Sequence, residues 1–220
     1  MNWNQLFTLV GTATGQTLVM VFFSTLFSVI LGLPLVVLIC VTDPATGIMP
    51  KPVLNQVLNR TVDVLRSFPF LILMIVLFPL SRLIIGTTIG TSATIVPLSI
   101  AAAPFVARII ETALKEIDPG VIQAARSMGS TNMQIILKVM IPEALPSLVD
   151  GITLTIINVI GYSAMAGTIG GGGLGDLAIR YGYQRFRIDV LIAAVIVILI
   201  LVGLIQMIGT KISQNLMKKR

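Results

Sequence analysis

Among 220 residues there is no histidine and a single cysteine, Cys40. This removes Cys/His zinc sites, a Ser/His nucleophilic pair and an internal disulfide. Cys40 reads as an inert buried thiol. Ser163 sits in no Gly-x-Ser-x-Gly turn, and Asp63 and Asp150 stand singly near the ends of apolar segments, as solvated or snorkelling charges do. The run GTIGGGGLG, Gly167 to Gly175, has neither the strand before it nor the lysine that a phosphate cradle needs. It reads as a place of close helix packing or a re-entrant bend. Two polar departures from an apolar background remain. QAARSMGSTNMQIILKVMIP, Gln123 to Pro142, has the makings of a knob between hinges that passes force. Thr153, Thr155, Asn158, Tyr162, Ser163, Met165 and Thr168 are polar or soft side chains within one apolar stretch. They either line a solute path, with Met165 as a gate, or pack helices together.

The elements that must position these residues are membrane helices. Apolar residues make up 55% of the chain and charged residues 11%, with a mean hydropathy of +0.99, whereas soluble domains carry about 25% charged residues. At roughly 20 residues per crossing, the length suits an all-α integral membrane protein of about five spans, with no room for a separate soluble domain. The expected spans are 17–41, 57–85, 91–113, 148–169 and 190–210. Pro34 lies late in the first, Pro69 and Pro79 fall inside the second, and Asp43-Pro44, Gly47, Pro50 and Pro52 mark the loop between them. The N-terminus has no basic residue or cleavage pattern, so the first helix is expected to be retained. Between spans three and four, Ile122, Ala125, Met128, then Met133, Ile136, Val139 and Met140 recur at helical spacing. This predicts two short amphipathic helices joined at Gly129-Ser130, the second capped by Thr131 and stopped by Pro142 and Pro146. An amphipathic pair lying on the membrane surface would share the pattern.

The basic residues are scattered at span ends rather than gathered in an aromatic-interleaved patch, which speaks for lipid topology and against nucleic acid. With the N-terminus out and the C-terminus in, Lys51, Arg60, Arg66, Arg108, Lys115, Arg126, Lys138, Lys211, Lys218, Lys219 and Arg220 lie on the cytoplasmic side. Only Arg82, Arg180, Arg185 and Arg187 lie outside, a split of 11 against 4 that accounts for all 15. The same orientation puts Gln123–Pro142 in the cytoplasm. Ionisable residues deep in the spans, which an ion-coupled transporter would carry, are missing, so the energy must come from elsewhere.

Ala124, Ala125, Gly129, Val139, Ile141 and Pro142 fall where binding-protein-dependent importer permeases carry the cytoplasmic signature Glu-Ala-Ala, three residues, Gly, nine residues, Ile-x-Leu-Pro. Gln123 stands where that family usually has Glu, keeping the hydrogen-bonding shape and losing the charge. RSFPFLILMIVLFP (66–79), IVPLSIAAAPFVARIIETAL (95–114), IPEALPSLVDG (141–151) and GYSAMAGTIGGGGLGDLAIRYGY (161–183) narrow the likeness. Together they resemble the permease subunits of methionine ABC importers, most closely over 66–183.

That resemblance implies a type I ABC importer permease fold over one domain, 1–220, with its core at about 13–210 and a coupling loop at about 115–146. It implies a pair of permease chains in the bacterial inner membrane, two cytoplasmic ATPase subunits that hold ATP and Mg, and an external methionine-binding protein. No cofactor is expected on this chain. Gln123, Ala124, Ala125, Gly129, Ile141 and Pro142 would engage the ATPase, and Asn158, Tyr162, Ser163 and Met165 would line the path. Another amino acid or small organic solute is the competing substrate. An autonomous channel, a secondary transporter and a membrane enzyme are the competing classes.

Overall fold

The computed structural model describes residues 3–44 and 49–218, all of its regular structure helical. Gly47 of the expected first loop, and Lys219 and Arg220 of the tail, lie outside the described residues. Helix α1, Trp3–Thr42, is followed by α2, Pro52–Ser67, α3, Phe70–Ile85, and α4, Thr91–Lys115. Then come α5, Pro119–Ser127, a long helix α6, Asn132–Ile169, a short α7, Gly173–Leu177, and α8, Ile188–Met217.

Helix α1 starts well before the expected span. Its 40 residues reach about 60 Å, twice the roughly 30 Å of hydrocarbon. The first turns pack Leu6, Leu9, Val10 and Ala13 on Leu174, Leu177, Val190 and Ala194 of α7 and α8. Pro34 sits within an unbroken helix. Further along, Gly32 lets α1 touch α4: a Cβ there would stand 2.9 Å from the Ala103 carbonyl. Helix α4 is the most enclosed span, with Leu98, Ala102, Val106 and Ala107 buried between α1 and α6.

The expected second span is two helices. α2 and α3 meet at 106°, broken at Phe68-Pro69. Pro69 disfavours helical backbone at Phe68 and lacks the N–H to continue the ladder. It therefore starts α3 as its N-cap instead of lying inside a span. Helix α2 is amphipathic, with Asn55 and Val62 buried and Val53, Val57 and Val64 exposed.

The second half of the expected coupling loop also differs from expectation. Thr131 does cap a helix, through a capping box in which the Gln134 N–H donates to Thr131 Oγ1 at 3.3 Å and the Thr131 N–H to Gln134 Oε1 at 2.9 Å. That helix does not stop at Pro142 or Pro146 but runs on as the fourth span. A wide π-turn over Ile136–Met140 lets the Ile141 N–H donate to the Ile136 carbonyl. This loosens the ladder just where Pro142 has no N–H to give. Pro146 is buried inside the same helix.

Candidate coupling and translocation sites

The segment expected to couple to an ATPase forms an elbow between α4 and α6. Asp118 caps α5 by accepting the Gly120 N–H at 2.7 Å, and Pro119 occupies the first turn, where no donor is needed. At its far end the Gly129 N–H donates to the Arg126 carbonyl and the Ser130 N–H to the Ala125 carbonyl. Gly129 closes this turn at φ +80°, a left-handed conformation that glycine adopts without strain. Its flanks are the capped ends of two helices.

One face of the elbow rests on its own chain. Ala125 and Ile135 are buried, and Ile122 and Met140 pack on Ala113, Ile117 and Ala144. The other face is bare: Gln123, Ala124 and Gly129 are exposed, as are Val121, Met128 and Met133, at 41%, 79% and 64%. The predicted knob therefore keeps Gln123, Ala124 and Gly129 together on an outward surface while Ala125 faces inward. Ile141 and Pro142 are exposed on the first half of α6, beyond the π-turn.

Next to the elbow lies a charge cluster that joins α2 to α4. Arg108 donates to Glu111 at 2.7 Å and, across 45 residues, to Asp63 of α2 at 2.7 Å, with Asn59 Oδ1 at 3.1 Å. Lys115 reaches the same Glu111 at 2.6 Å, and Glu111 is only 2% exposed. Asp63 is thus paired, not an isolated solvated charge. Asp150 accepts the Ser213 hydroxyl of α8 at 2.8 Å. The i, i+3 and i, i+4 spacing of Arg108, Glu111 and Lys115 was the visible signal.

The polar residues of the fourth span divide between two faces of α6. Thr153, Thr155 and Ser163 are buried, donating to carbonyls of their own helix. Tyr162 is half-buried and stacks on Phe70 of α3, ring centroids 4.5 Å apart. Asn158 and Met165 are exposed and fall with Leu154, Gly161 and Thr168 on one stripe at three- and four-residue spacing. Of the four expected path residues, Asn158 and Met165 share that open face, Tyr162 borders α3, and Ser163 belongs to the core.

The glycine run packs helices. A Cβ on Gly167 would overlap the backbone of Gly175 and Asp176, and one on Gly175 the backbone of Ala164. The amide donors that a phosphate would seek are occupied, since the Gly173 N–H donates to Gln16 Oε1 and the Leu174 N–H to Thr17 Oγ1, both at 2.9 Å. No group of His, Cys, Asp or Glu among the described residues could hold a metal ion.

Residues 44–219 match the family described as binding-protein-dependent transport system inner membrane component. The chain is 50% identical over 198 residues to the probable D-methionine transport system permease protein MetI of Vibrio cholerae, covering 90% of this chain and 88% of that one. It is 49% identical over 166 residues to the methionine import system permease protein MetP of Bacillus subtilis, covering 76% and 74%. Among solved structures, an inward-facing conformation of the MetNI methionine ABC transporter superposes with a TM-score of 0.93 at 43% identity, covering 98% of this chain and 99% of that one. An amino acid ABC transporter crystallised with histidines shares the fold alone, at 21% identity and a TM-score of 0.73. The expected type I importer permease fold is thus borne out, and this multi-pass chain belongs to the family of binding-protein-dependent transport system inner membrane components.

Proposed function

We propose that this chain is the membrane permease of an ATP-driven importer of methionine or a close analogue. The observation that carries the reading is the near-complete match to the permease of a methionine transporter, at 43% identity and a TM-score of 0.93. Two copies form the pathway in the bacterial inner membrane, N-terminus outside and C-terminus inside. Each receives one cytoplasmic ATPase subunit, which holds ATP and Mg, and an external methionine-binding protein delivers the substrate.

Each ATPase docks on the bare face of the elbow, meeting Gln123, Ala124, Gly129, Met128 and Met133. Apolar side chains give such a surface its affinity, and the neutral Gln123 supplies a hydrogen bond where a charged residue would add an ion pair. Ala125, buried behind the bare face, takes part by seating the elbow on its own chain, and Ile141 and Pro142 carry the push into the fourth span. Closure of the ATPases on ATP draws the elbows together and rocks the spans from inward-facing to outward-facing. Asn158 and Met165 line the path, Tyr162 borders it, and Met165 gates it.

The test is uptake into proteoliposomes holding the permease and its ATPase, with the binding protein outside and ATP inside, assayed across amino acids. Methionine accumulation that ends when ATP is omitted supports the reading. Accumulation of another amino acid in preference to methionine overturns the substrate, and ATP-independent flux overturns the class.

A further inference from the structure

At the end of the bundle from which α5 emerges, a cleft of about 390 Å³ opens between α2, α4 and α6. Arg66 of α2, Phe105, Ile109 and Glu116 on and just after α4, and Asp150 and Leu154 of α6 line it. The α6 side of the cleft continues the exposed stripe of Leu154, Asn158, Gly161 and Met165, so a solute leaving that stripe towards α5 enters the cleft. Its size falls in the range of small-molecule sites. Its chemistry is that of a zwitterion with an apolar tail.

Arg66 is exposed and, among the described residues, has no ion-pair partner, unlike Arg108 beside it, which Asp63 and Glu111 hold. Its planar guanidinium is free to take a carboxylate through two hydrogen bonds. Asp150 and Glu116 each receive a serine hydroxyl on one carboxylate oxygen, from Ser213 and Ser147, both at 2.8 Å. The second oxygen of each can face an ammonium group. Phe105, Ile109 and Leu154 supply apolar surface for an unbranched side chain.

We infer that this cleft is an exit vestibule that binds the α-carboxylate and α-ammonium of the transported amino acid before release, with Arg66 as its specificity-determining residue. The inference rests on the proposed function. It explains why a path lined mostly by neutral residues ends in charges of both signs. A solute lacking either charge would leave one ion of the vestibule unpaired, and the site would discriminate against it.

The experiment uses the intact permease–ATPase complex in proteoliposomes, with uptake of labelled methionine measured in parallel. A diazirine-bearing methionine analogue is photolysed in the nucleotide-free state and its attachment sites are mapped by mass spectrometry. Attachment to Phe105, Ile109 or Leu154 is expected. It should fall about tenfold or more in Arg66→Gln, the loss expected for a charge-assisted hydrogen bond. Arg66→Lys should retain part of it, and Arg60→Gln, which removes a charge from the same helix outside the cleft, should leave it unchanged. If Arg66→Gln fails to assemble, the attachment map of the unaltered complex decides. Normal methionine uptake with attachment only elsewhere, or attachment unaffected by Arg66→Gln, overturns the vestibule alone. No methionine uptake by the unaltered complex overturns the functional reading and the vestibule's ligand with it.

Discussion

Arg108 of α4 and Asp63 of α2 join at 2.7 Å across 45 residues of sequence, and the same guanidinium holds the buried Glu111 one turn along its own helix. This junction ties α2, the first half of the broken pair, to the span that leads into the elbow. Its two carboxylates are unequal, because Asp63 is 52% exposed and Glu111 2%.

Removing Glu111 should therefore cost more than removing Asp63. Glu111→Ala leaves Arg108 and Lys115 without their shared acceptor and should destabilise the purified permease by about 1–3 kcal/mol. Asp63→Asn should cost less than about 1 kcal/mol, as exposed pairs do. Thermal unfolding of the two variants in detergent measures the order, and a larger loss for Asp63→Asn would refute the assignment.

At the elbow, Gly129→Ala forces a side chain into a left-handed turn although the space around it is open, a strain of about 1–2 kcal/mol. Gly129→Pro, which also deletes the N–H bonded to Arg126, should abolish ATP-driven uptake while the chain still inserts. Ala125→Asp should fail by unseating the elbow, since its side chain is buried against the chain itself. Met128→Asp leaves the elbow's own packing intact and should lose ATPase association. Retention of the ATPase by Met128→Asp in a pull-down would place the docking surface elsewhere.

Along the fourth span, single cysteines in a Cys40→Ala background should separate by face. Asn158→Cys and Met165→Cys should react with a small water-soluble thiol reagent, at least one of them differently when ATP is trapped. Ser163→Cys should stay unreactive, because its side chain is 2% exposed and turned to the core. Rapid labelling of Ser163→Cys with silence at the other two would exchange the two faces of α6.

Gly175→Ala should fail to accumulate as folded protein, because the added methyl meets the backbone of Ala164, which cannot swing aside as a side chain could. Gly161→Ala, with open space around it, should be stable. Expression and gel-filtration profiles compare the two.

For topology, a reporter fused after Arg220 should be active in the cytoplasm and one inserted between Gly175 and Asp189 outside, as the distribution of lysine and arginine demands. An external C-terminal reporter would overturn the orientation.

Hydropathy and charge placement determined that this chain is a helical membrane protein and where most of its spans lie, since the bilayer sets helix length and each backbone must satisfy its own hydrogen bonds. The turn at Gly129 and the cap at Thr131 were legible for the same local reason, since each acts on its immediate neighbours and its role follows from residue type. Proline was misread because its effect depends on what can absorb it. Pro69 breaks a span at 106°, whereas Pro142 is accommodated by a π-turn and the fourth span runs through it. The tertiary structure alone decided the rest. Asp63 found Arg108, Asp150 found Ser213, and Ser163 turned inward while Asn158 turned out, because each outcome depends on which helix lies alongside. Neighbouring helices are chosen by close fits such as Gly32 on Ala103 and Gly175 on Ala164, and such fits join residues that spacing along the chain does not relate.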